Sequence, residues 1–499
     1  MKNNKKKTQN KEKMSQKEPF NLNKIDYKRL GFFNFKKLGR NYLLTNDTGR
    51  FVILKPEDFK NFVEGSLEKD KEPYLTLKKE NFLKQELEID KEVNKFVSKN
   101  HFLFKSPDLH IIVLTLRCNH RCVYCHASAQ DMSQKDVDMD KETADKVLEN
   151  IFSTPGPTIT IEFQGGEPLA NWPILKYIVE EAYKKNKKIG KNLEIKLVTN
   201  LDLMTEERYD FLINNDVAIC TSIDGPRKLH NKNRPLIGGG DDYKKITKWI
   251  KRFNKDYSSL IKKGYIWKIS ALTTISRDSL KMHKEIIDEY LRLGFRDIFL
   301  RPLDPFGFSN QSWRKIGYSE KEFISFYKKS LDYIIQKNLK GNEFIERGAL
   351  FFLKKILTDN DPNMMEMRSP CGGGIGQIAY DFDGSVYTCD EGRMLGMMGD
   401  DSFKIGDVKE NSYEEIVTHP VVRTVCSTSC LQGLAGCSDC VYRPYCATCP
   451  IYNYFKQGTI FGQMPTNEKC KINSAILDYL FKKIQKKESK EVFNNWLKN

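Results

Sequence analysis

The sequence lacks any segment suited to crossing a membrane or directing secretion. No apolar run is long enough to span a bilayer. The lysines and asparagines of residues 1–7 lead into no apolar core of the kind found in a signal peptide. The 13 cysteines are an odd number grouped by spacing, which favours thiolates that hold metal over disulfides. We therefore expect a cytoplasmic protein that does not associate with membranes.

Residues 1–19 contain almost no apolar side chains, and we expect them to form a disordered basic tail. The formal net charge of the chain is +16, from 82 Lys and Arg against 66 Asp and Glu. A Cys-rich, zinc- or nucleic-acid-binding protein is one alternative that this charge suggests. Such a protein would interleave basic and aromatic residues on one surface. Because the lysines here are dispersed, we expect no nucleic acid as partner.

Residues 20–105 predict a small N-terminal α+β region. Residues 40–54 indicate two strands joined by a turn at 46–49. A helix follows, in which Phe59, Phe62 and Val63 share one face. A hairpin followed by helices suits an element that binds a leader peptide as an added strand. A structural cap is the alternative.

Residues 106–310 alternate strands with amphipathic helices, which predicts an α/β fold with a parallel sheet. One helix carries Ala144, Val147, Leu148 and Ile151 at helical spacing. Six units rather than eight suggest a partial, TIM-like (β/α)6 barrel, with function at the carboxyl ends of its strands. The predicted strands span residues 109–116, 158–164, 193–199, 217–223, 265–275 and 297–302.

Cys118, Cys122 and Cys125 follow the first predicted strand in a C-x3-C-x2-C pattern. A [4Fe–4S] cluster normally takes four thiolates, so three would leave one iron open to a ligand with an amine and a carboxylate. A zinc knuckle or a redox dithiol is the alternative. The stretch resembles the motif of radical S-adenosylmethionine (SAM) enzymes. That resemblance implies a SAM-binding [4Fe–4S] cluster and a 5′-deoxyadenosyl radical that abstracts hydrogen from the substrate.

Polar residues close the other predicted strands, and the resemblance implies that they bind SAM. Gly165 and Gly166 allow the backbone to approach a ligand closely. The carboxylate of Glu167 can accept hydrogen bonds from the ammonium group of that ligand. The alternative for Asp224 is a role in forming the turn. The alternative for Arg301 is an ion pair at the surface. The expected SAM-binding residues are Gly165, Gly166, Glu167, Pro168, Thr199, Asn200, Ser222, Asp224 and Arg301.

Residues 311–365 indicate a helical bridge, and residues 366–499 a cysteine-rich domain that ends in a helix. The cysteines of this domain resemble the SPASM, or twitch, extension of radical SAM enzymes, which implies two auxiliary [4Fe–4S] clusters. Two zinc ribbons are the alternative. The last pair is spaced C-x2-C where the family usually has C-x3-C, and no second cysteine closely follows Cys371. The pattern implies Cys437, Cys440, Cys446 and Cys470 for one cluster, and Cys371, Cys389 and Cys449 for the other.

The fourth position of that three-cysteine cluster is open to Cys426, to Cys430 or to a substrate atom. Asp390 directly follows Cys389. The resemblance implies that Asp390 is a catalytic base near the substrate carbon. A supporting role beside the cluster is the alternative.

Further stretches resemble the maturases of the His-Xaa-Ser repeat peptide system, notably residues 28–35, 42–51 and 117–125. This resemblance implies a ribosomally made precursor peptide as substrate, and we expect its oxidative cross-linking. The expected partners also include an electron donor such as flavodoxin or ferredoxin, and a paired maturase. A sulfatase-type maturase that oxidises a Ser or Cys of a protein is the alternative.

Overall fold

The computed structural model describes residues 24–498. The predicted disordered tail at 1–19 lies outside the described residues. The described chain divides into two compact units. The smaller contains residues 24–46 and 50–88, and the larger contains 47–49 and 89–498. Within the described range, no helix is both long and apolar enough to cross a bilayer.

The smaller unit is a three-stranded antiparallel sheet with two helices. Its elements are β1 (Asn34–Leu38), β2 (Asn41–Thr45), β3 (Phe51–Leu54), α1 (Pro56–Val63) and α2 (Tyr74–Lys79). The order is β1-β2-β3, so the predicted hairpin is present as β2 and β3, and β1 adds an edge strand. The predicted helical face of Phe59, Phe62 and Val63 is buried on this sheet.

The larger unit begins with alternating helices and strands. These are α3 (Ile89–Lys99), β4 (Leu109–Val113), α4 (Lys141–Phe152), β5 (Thr158–Gln164), α5 (Trp172–Ile189), β6 (Asn192–Val198), α6 (Glu206–Asn214), β7 (Val217–Ser222), α7 (Arg227–Asn233), α8 (Asp242–Leu260), β8 (Ser270–Thr274), α9 (His283–Arg292), β9 (Asp297–Ile298) and β10 (Leu300–Arg301).

The second half of the larger unit is mostly helical. It contains α10 (Phe308–Ile316), α11 (Glu320–Leu339), β11 (Ile345–Glu346), α12 (Arg347–Leu357), β12 (Gln377–Tyr380), β13 (Ser385–Tyr387), α13 (Asp390–Gly396), β14 (Lys404–Asp407), α14 (Tyr413–Val417), α15 (Pro420–Ser427), α16 (Pro450–Gln457), α17 (Glu468–Ile484) and α18 (Lys487–Trp496).

One sheet dominates the larger unit, with the order β10-β8-β7-β6-β5-β4-β12-β13-β14. Six strands from β4 to β10 run parallel, which confirms the predicted α/β fold with a parallel sheet. β12 pairs in parallel with β4, and Gln377 lies opposite Leu109. The cysteine-rich C-terminal segment therefore extends the same sheet. The partial barrel and the domain limits stay predictions.

The helices form where the apolar spacing predicted them. Asp140 precedes α4 and accepts a hydrogen bond from the backbone N–H of Thr143, which satisfies one of the unpaired donors of the first turn. The predicted face of Ala144, Val147, Leu148 and Ile151 is fully buried. These helices place the loops after β4, β5, β6 and β7 at one edge of the sheet.

Candidate active site

The loop after β4 carries Cys118, Cys122 and Cys125 into a cavity of about 890 Å³, which we call the first cavity. Predicted SAM-binding residues share its wall, together with Asp390. Those residues are Gly165, Gly166, Glu167, Thr199, Asn200 and Ser222. The first cavity therefore joins the ends of four strands to one side chain of the cysteine-rich segment.

The Gly-Gly pair after β5 packs directly against the cysteine loop. A Cβ atom on Gly165 would lie 2.3 Å from the carbonyl oxygen of Thr115, and one on Gly166 would lie 2.3 Å from that of Arg117. Gly165 also has a φ of +137°, which side chains rarely adopt. Both glycines therefore allow a close approach, as expected. The group that approaches them in the structure is the backbone that leads to Cys118, and approach to a ligand stays a prediction.

Glu167 is fully buried and ties the Gly-Gly turn to the loop after β6. Its Oε1 accepts hydrogen bonds from Thr199 Oγ1 at 2.6 Å and from the backbone N–H of Leu169 at 3.1 Å. Its Oε2 accepts from the backbone N–H of Asn200 at 2.8 Å. Burial raises the pKa of Glu167, and these hydrogen bonds oppose that rise. The carboxylate holds two loops together at the wall of the first cavity.

Asp224 lies behind the first cavity rather than in its wall. It is fully buried and accepts hydrogen bonds from Tyr124 Oη at 2.8 and 2.7 Å and from Asn233 Nδ2 at 2.9 Å. Tyr124 belongs to the cysteine loop and accepts a hydrogen bond from Arg234 Nη1 at 3.1 Å. Asp224 therefore positions the cysteine loop, a role that neither sequence interpretation included.

Arg234 is a cavity-lining residue that sequence reasoning missed. Its Nη1 bonds Tyr124, while its Nε is buried with no hydrogen-bond partner among the described residues. An orphaned guanidinium N–H in a cavity wall suits an anionic ligand group such as a carboxylate.

A buried carboxylate also connects two histidines behind the cysteine loop. Nε2 of His230 lies 2.8 Å from Oδ2 of Asp242. Nε2 of His120 lies 2.8 Å from Oδ1, although these atoms are not aligned as a hydrogen bond. Burial would raise the pKa of Asp242, but its contacts with the two histidines lower it. His120 stands between Cys118 and Cys122, so this network fixes the loop from behind.

Asp390 forms a buried ion pair with Arg393 in the wall of the first cavity. Nη2 and Nε of Arg393 lie 2.9 and 3.0 Å from Oδ1 of Asp390. No described residue hydrogen-bonds Oδ2, so this oxygen stays available. Arg393, which sequence reasoning missed, is almost fully buried and fixes the orientation of the carboxylate.

Cys371, Cys389 and Cys449 line a second cavity, of about 1070 Å³, where they pack in one apolar cluster. Arg301 lies here and pairs with Glu366 at 2.7 Å. Arg301 is thus not among the residues that line the first cavity, and its contact with SAM stays a prediction. Pro168 is buried beside Glu167 and also lies outside the lining of the first cavity.

The remaining predicted ligands gather in a separate cluster. Cys437 packs with Leu431, Leu434 and Met464, and Cys446 and Cys470 contact this group. Burial raises the pKa of Cys446 to about 12, and the nearby thiols of Cys440, Cys470 and Cys437 add to that effect. The members of each cysteine set that the resemblance implied thus lie near one another, and the binding of clusters by these sets stays a prediction. Cys426 lies in the last turn of α15 and Cys430 in the loop after it, and neither lines the second cavity.

The candidate ligands are thiols, which are the ligands that iron–sulfur clusters take. All 13 cysteines are free thiols. Within residues 24–498, no three or more Cys, His, Asp or Glu converge as they would around one ion. Each thiolate of a [4Fe–4S] cluster binds a different iron. Burial raises the pKa of Cys122 to about 12, while the charge of Arg234 acts to lower it.

Comparison with known proteins matches one segment of the chain to a family. The model of the radical SAM superfamily matches residues 112–261, the segment that contains the three-cysteine loop and the Gly-Gly turn. Residues 112–261 are therefore similar to the radical SAM superfamily. The family and the relatives indicate an oxidoreductase-type enzyme, and the family implies a [4Fe–4S] cluster.

The chain is also similar to known proteins of two kinds. The cysteine-type anaerobic sulfatase-maturating enzyme of Clostridium novyi is 24% identical over 68% of this chain and 87% of its own length. The structure of anSMEcpe with bound AdoMet and a peptide aligns with a TM-score of 0.61 and 21% identity, over 78% of this chain and 100% of that one. Streptococcus suis SuiB bound to its precursor peptide SuiA aligns with a TM-score of 0.52 and 13% identity, over 87% and 98%.

Proposed function

We propose that the protein is a radical SAM enzyme that oxidatively cross-links a ribosomally made precursor peptide. One observation carries this proposal. The first cavity combines the three-cysteine loop, the predicted SAM-binding strand ends and the carboxylate of Asp390. A substrate carbon in this cavity would lie beside both the radical source and a proton acceptor.

Cys118, Cys122 and Cys125 would hold the SAM-binding [4Fe–4S] cluster. When bound, this cluster supplies the electron that cleaves the sulfonium of SAM. We assign the SAM carboxylate to Arg234, because this residue lines the first cavity and its Nε has no hydrogen-bond partner among the described residues. Thr199, Asn200 and Ser222 remain candidates for the polar groups of SAM.

Asp390 takes the role of base. Arg393 binds Oδ1 and so keeps the carboxylate oriented, while Oδ2 is available to accept a proton from the substrate. Since Arg393 is almost fully buried, this ion pair is largely shielded from solvent.

The two other cysteine sets would hold auxiliary [4Fe–4S] clusters. These clusters supply one-electron acceptors when bound. We propose Cys371, Cys389 and Cys449 for the first auxiliary cluster, and Cys437, Cys440, Cys446 and Cys470 for the second. The fourth position of the first stays open to Cys426, Cys430 or the substrate.

The peptide would reach the enzyme through the smaller unit. The hairpin of β2 and β3, followed by α1, is the element that we propose for this role. A small sheet of this kind suits binding of a leader peptide as an added strand. An electron donor such as flavodoxin or ferredoxin, a paired maturase and a cytoplasmic location remain part of the proposal.

A sulfatase-type maturase is a second candidate. The sulfatase-maturating relatives support it, as does the position of Asp390 directly after Cys389. Both candidates oxidise one carbon of a peptide segment, so they differ in the bond that forms afterwards.

Mass spectrometry after anaerobic co-expression with a peptide encoded beside the gene tests the proposal. We expect a loss of two hydrogen atoms and an interruption of the fragment series between two joined residues. A carbonyl that reacts with hydrazine at one Ser or Cys would favour the sulfatase-type candidate. An unchanged peptide, together with no 5′-deoxyadenosine from SAM, would reject both.

A further inference from the structure

Lys99 is a buried cation in the wall of a third cavity. This cavity has a volume of about 540 Å³, and all of its lining residues belong to the larger unit. Lys99 is the last residue of α3 and is 9% exposed, although lysine is almost never fully buried unless it is paired. Its Nζ donates a hydrogen bond to the backbone carbonyl oxygen of Lys355 at 3.0 Å. No carboxylate within residues 24–498 forms an ion pair with Lys99.

The other charged residues of the third cavity are paired with one another. Nζ of Lys355 lies 3.3 Å from Oδ2 of Asp361, and Nη2 of Arg443 forms an ion pair with Asp47. Lys355 and Asp361 are both largely buried, so solvent does little to screen this pair. The lining therefore leaves one positive charge, that of Lys99, without a negative counterpart.

The surroundings of Lys99 disfavour its charged form. Burial lowers the pKa of Lys99 to about 7, and the charges of Lys95 and Lys355 contribute to this fall. The carboxylates of Asp359 and Asp361 act in the opposite direction. A negative group beside the amine would stabilise the ammonium form and offset the cost of its burial.

The third cavity also has space and hydrogen-bond donors near the amine. A Cβ atom on Gly49 would lie 2.7 Å from Nζ of Lys99, so glycine at this position keeps the space beside the amine open. The side-chain amides of Asn100, Asn360 and Gln432 share the wall. Each amide carries two N–H donors, which suit the oxygen atoms of an anion.

We propose that the third cavity binds a carboxylate, with Lys99 as its cationic partner. The one unneutralised charge of the lining matches a group with a single negative charge. A phosphate group carries a charge of about −1.5 to −2 at pH 7, and Asp47 and Asp361 in the wall would repel the additional charge. The third cavity shares no lining residue with the first or the second, so this inference does not depend on the proposed function.

Equilibrium dialysis of radiolabelled propionate against the reconstituted full-length protein tests the inference. We expect one saturable site in the native protein. Lys99→Met keeps the length of the side chain but removes its charge, and we expect affinity to fall by about tenfold or more, the value of one charge-assisted hydrogen bond. Lys184→Met is the control, since Lys184 is exposed and pairs with Glu181 on α5. It should bind propionate as the native protein does.

Two outcomes would overturn the inference. Undiminished binding in Lys99→Met would place the propionate elsewhere. The lack of a saturable site in the native protein would mean that other groups, such as ordered water or a cluster at the neighbouring Cys446, satisfy Lys99.

A measurement on the unmutated protein covers the case in which Lys99→Met does not fold. Trace acetylation with acetic anhydride, followed by mass spectrometry, reports the reactivity of each lysine. Propionate should reduce the labelling of Lys99 several-fold and leave that of Lys184 unchanged, whereas chloride at the same ionic strength should protect neither. A labelling rate at Lys99 that propionate does not change would overturn the inference.

The chemistry and the source of the carboxylate can be distinguished in the same dialysis experiment. Inorganic phosphate that displaces propionate at a lower concentration than unlabelled propionate does would contradict the choice of a carboxylate. An acetylated tripeptide that binds more tightly than propionate would indicate the terminus of a peptide chain, and weaker binding would indicate a free small acid. The tripeptide amide should not bind, and equal binding of the amide and the acid would overturn the inference.

Discussion

Asp390 directly follows Cys389 in the chain, yet the two side chains line different cavities. Cys389 accepts a hydrogen bond from the backbone N–H of Gly392 and so caps α13, whose first residue is Asp390. Glu391 then lines the second cavity again. The start of α13 is therefore a wall between the two cavities, and one turn of helix serves both the proposed base and a proposed cluster ligand.

The role of Asp390 can be tested by Asp390→Asn. The amide cannot accept the substrate proton, so we expect peptide modification to fall by about 10²- to 10⁴-fold, the usual contribution of a positioned base. Formation of 5′-deoxyadenosine should continue, because the cysteine loop is unchanged. Liquid chromatography of the nucleoside and mass spectrometry of the peptide measure the two activities separately.

Asp400→Asn is a suitable control for this change. Asp400 lies in the same segment and hydrogen-bonds Ser402 at the exposed surface. We expect this variant to retain both activities. If Asp390→Asn modifies the peptide as well as the native enzyme does, Asp390 only supports the structure.

Arg234 and Arg301 provide a matched pair for SAM binding. Arg234→Lys removes the planar fork in the first cavity, and we expect SAM affinity to fall by about tenfold or more, the value of one charge-assisted hydrogen bond. Arg301→Lys changes the same residue type in the second cavity and should leave SAM affinity unchanged. Equilibrium binding of SAM to the reconstituted protein gives both values. A larger loss in Arg301→Lys would restore the original assignment from the sequence.

Elements that depend on neighbouring residues could be predicted from the sequence, whereas contacts between distant segments could not. Helical spacing in α4 and α5 and the strand runs of β5 and β7 depend on neighbouring residues, so the parallel sheet could be predicted. β1 was missed because Lys36 and Lys37 interrupt its apolar pattern, and an edge strand tolerates such charges. The pairing of β12 with β4 joins segments more than 260 residues apart, which no local pattern reports.

The residues of the candidate site also separate into those that the sequence predicts and those that only tertiary packing reveals. The cysteine sets and the Gly-Gly turn followed from the family resemblance, since metal ligation and steric approach impose fixed residue types. Arg234 and Arg393 belong to or border short helices and Asp242 begins α8, and in the sequence all three are indistinguishable from solvent-facing charges. Only tertiary packing buries them. Arg301 ends a strand as expected, but its partner Glu366 lies 65 positions later.

The steric contact of Gly166 gives a test of how the cysteine loop is held. In Gly166→Ala the new methyl would lie 2.3 Å from the carbonyl oxygen of Arg117, so the backbone before Cys118 must shift. We expect loss of the SAM-binding cluster, about four irons per chain, and loss of 5′-deoxyadenosine formation. Gly433→Ala is the control, since a Cβ there meets no atom within 4 Å. Normal iron content in Gly166→Ala would show that the loop adapts.

The cysteine sets predict how iron content divides between clusters. Three [4Fe–4S] clusters require about twelve irons per chain after anaerobic reconstitution. Cys122→Ala should remove the first cluster and abolish SAM cleavage, because its thiol lies in the first cavity. Cys446→Ala should remove about four irons and spare the first cluster, since Cys446 lies with Cys437, Cys440 and Cys470. Cys220→Ser, within β7, should change neither value.

Iron analysis and the EPR spectrum of each variant, measured beside SAM cleavage, distinguish these cases. A total near four irons in the native protein would leave only the radical SAM cluster and remove both auxiliary assignments. Equal losses in all three variants, Cys220→Ser included, would point to general misfolding rather than to separate clusters. We expect Cys122→Ala to lose iron and SAM cleavage, Cys446→Ala to lose iron but keep SAM cleavage, and Cys220→Ser to keep both. This pattern follows only if the thiols belong to separate clusters, as their packing indicates.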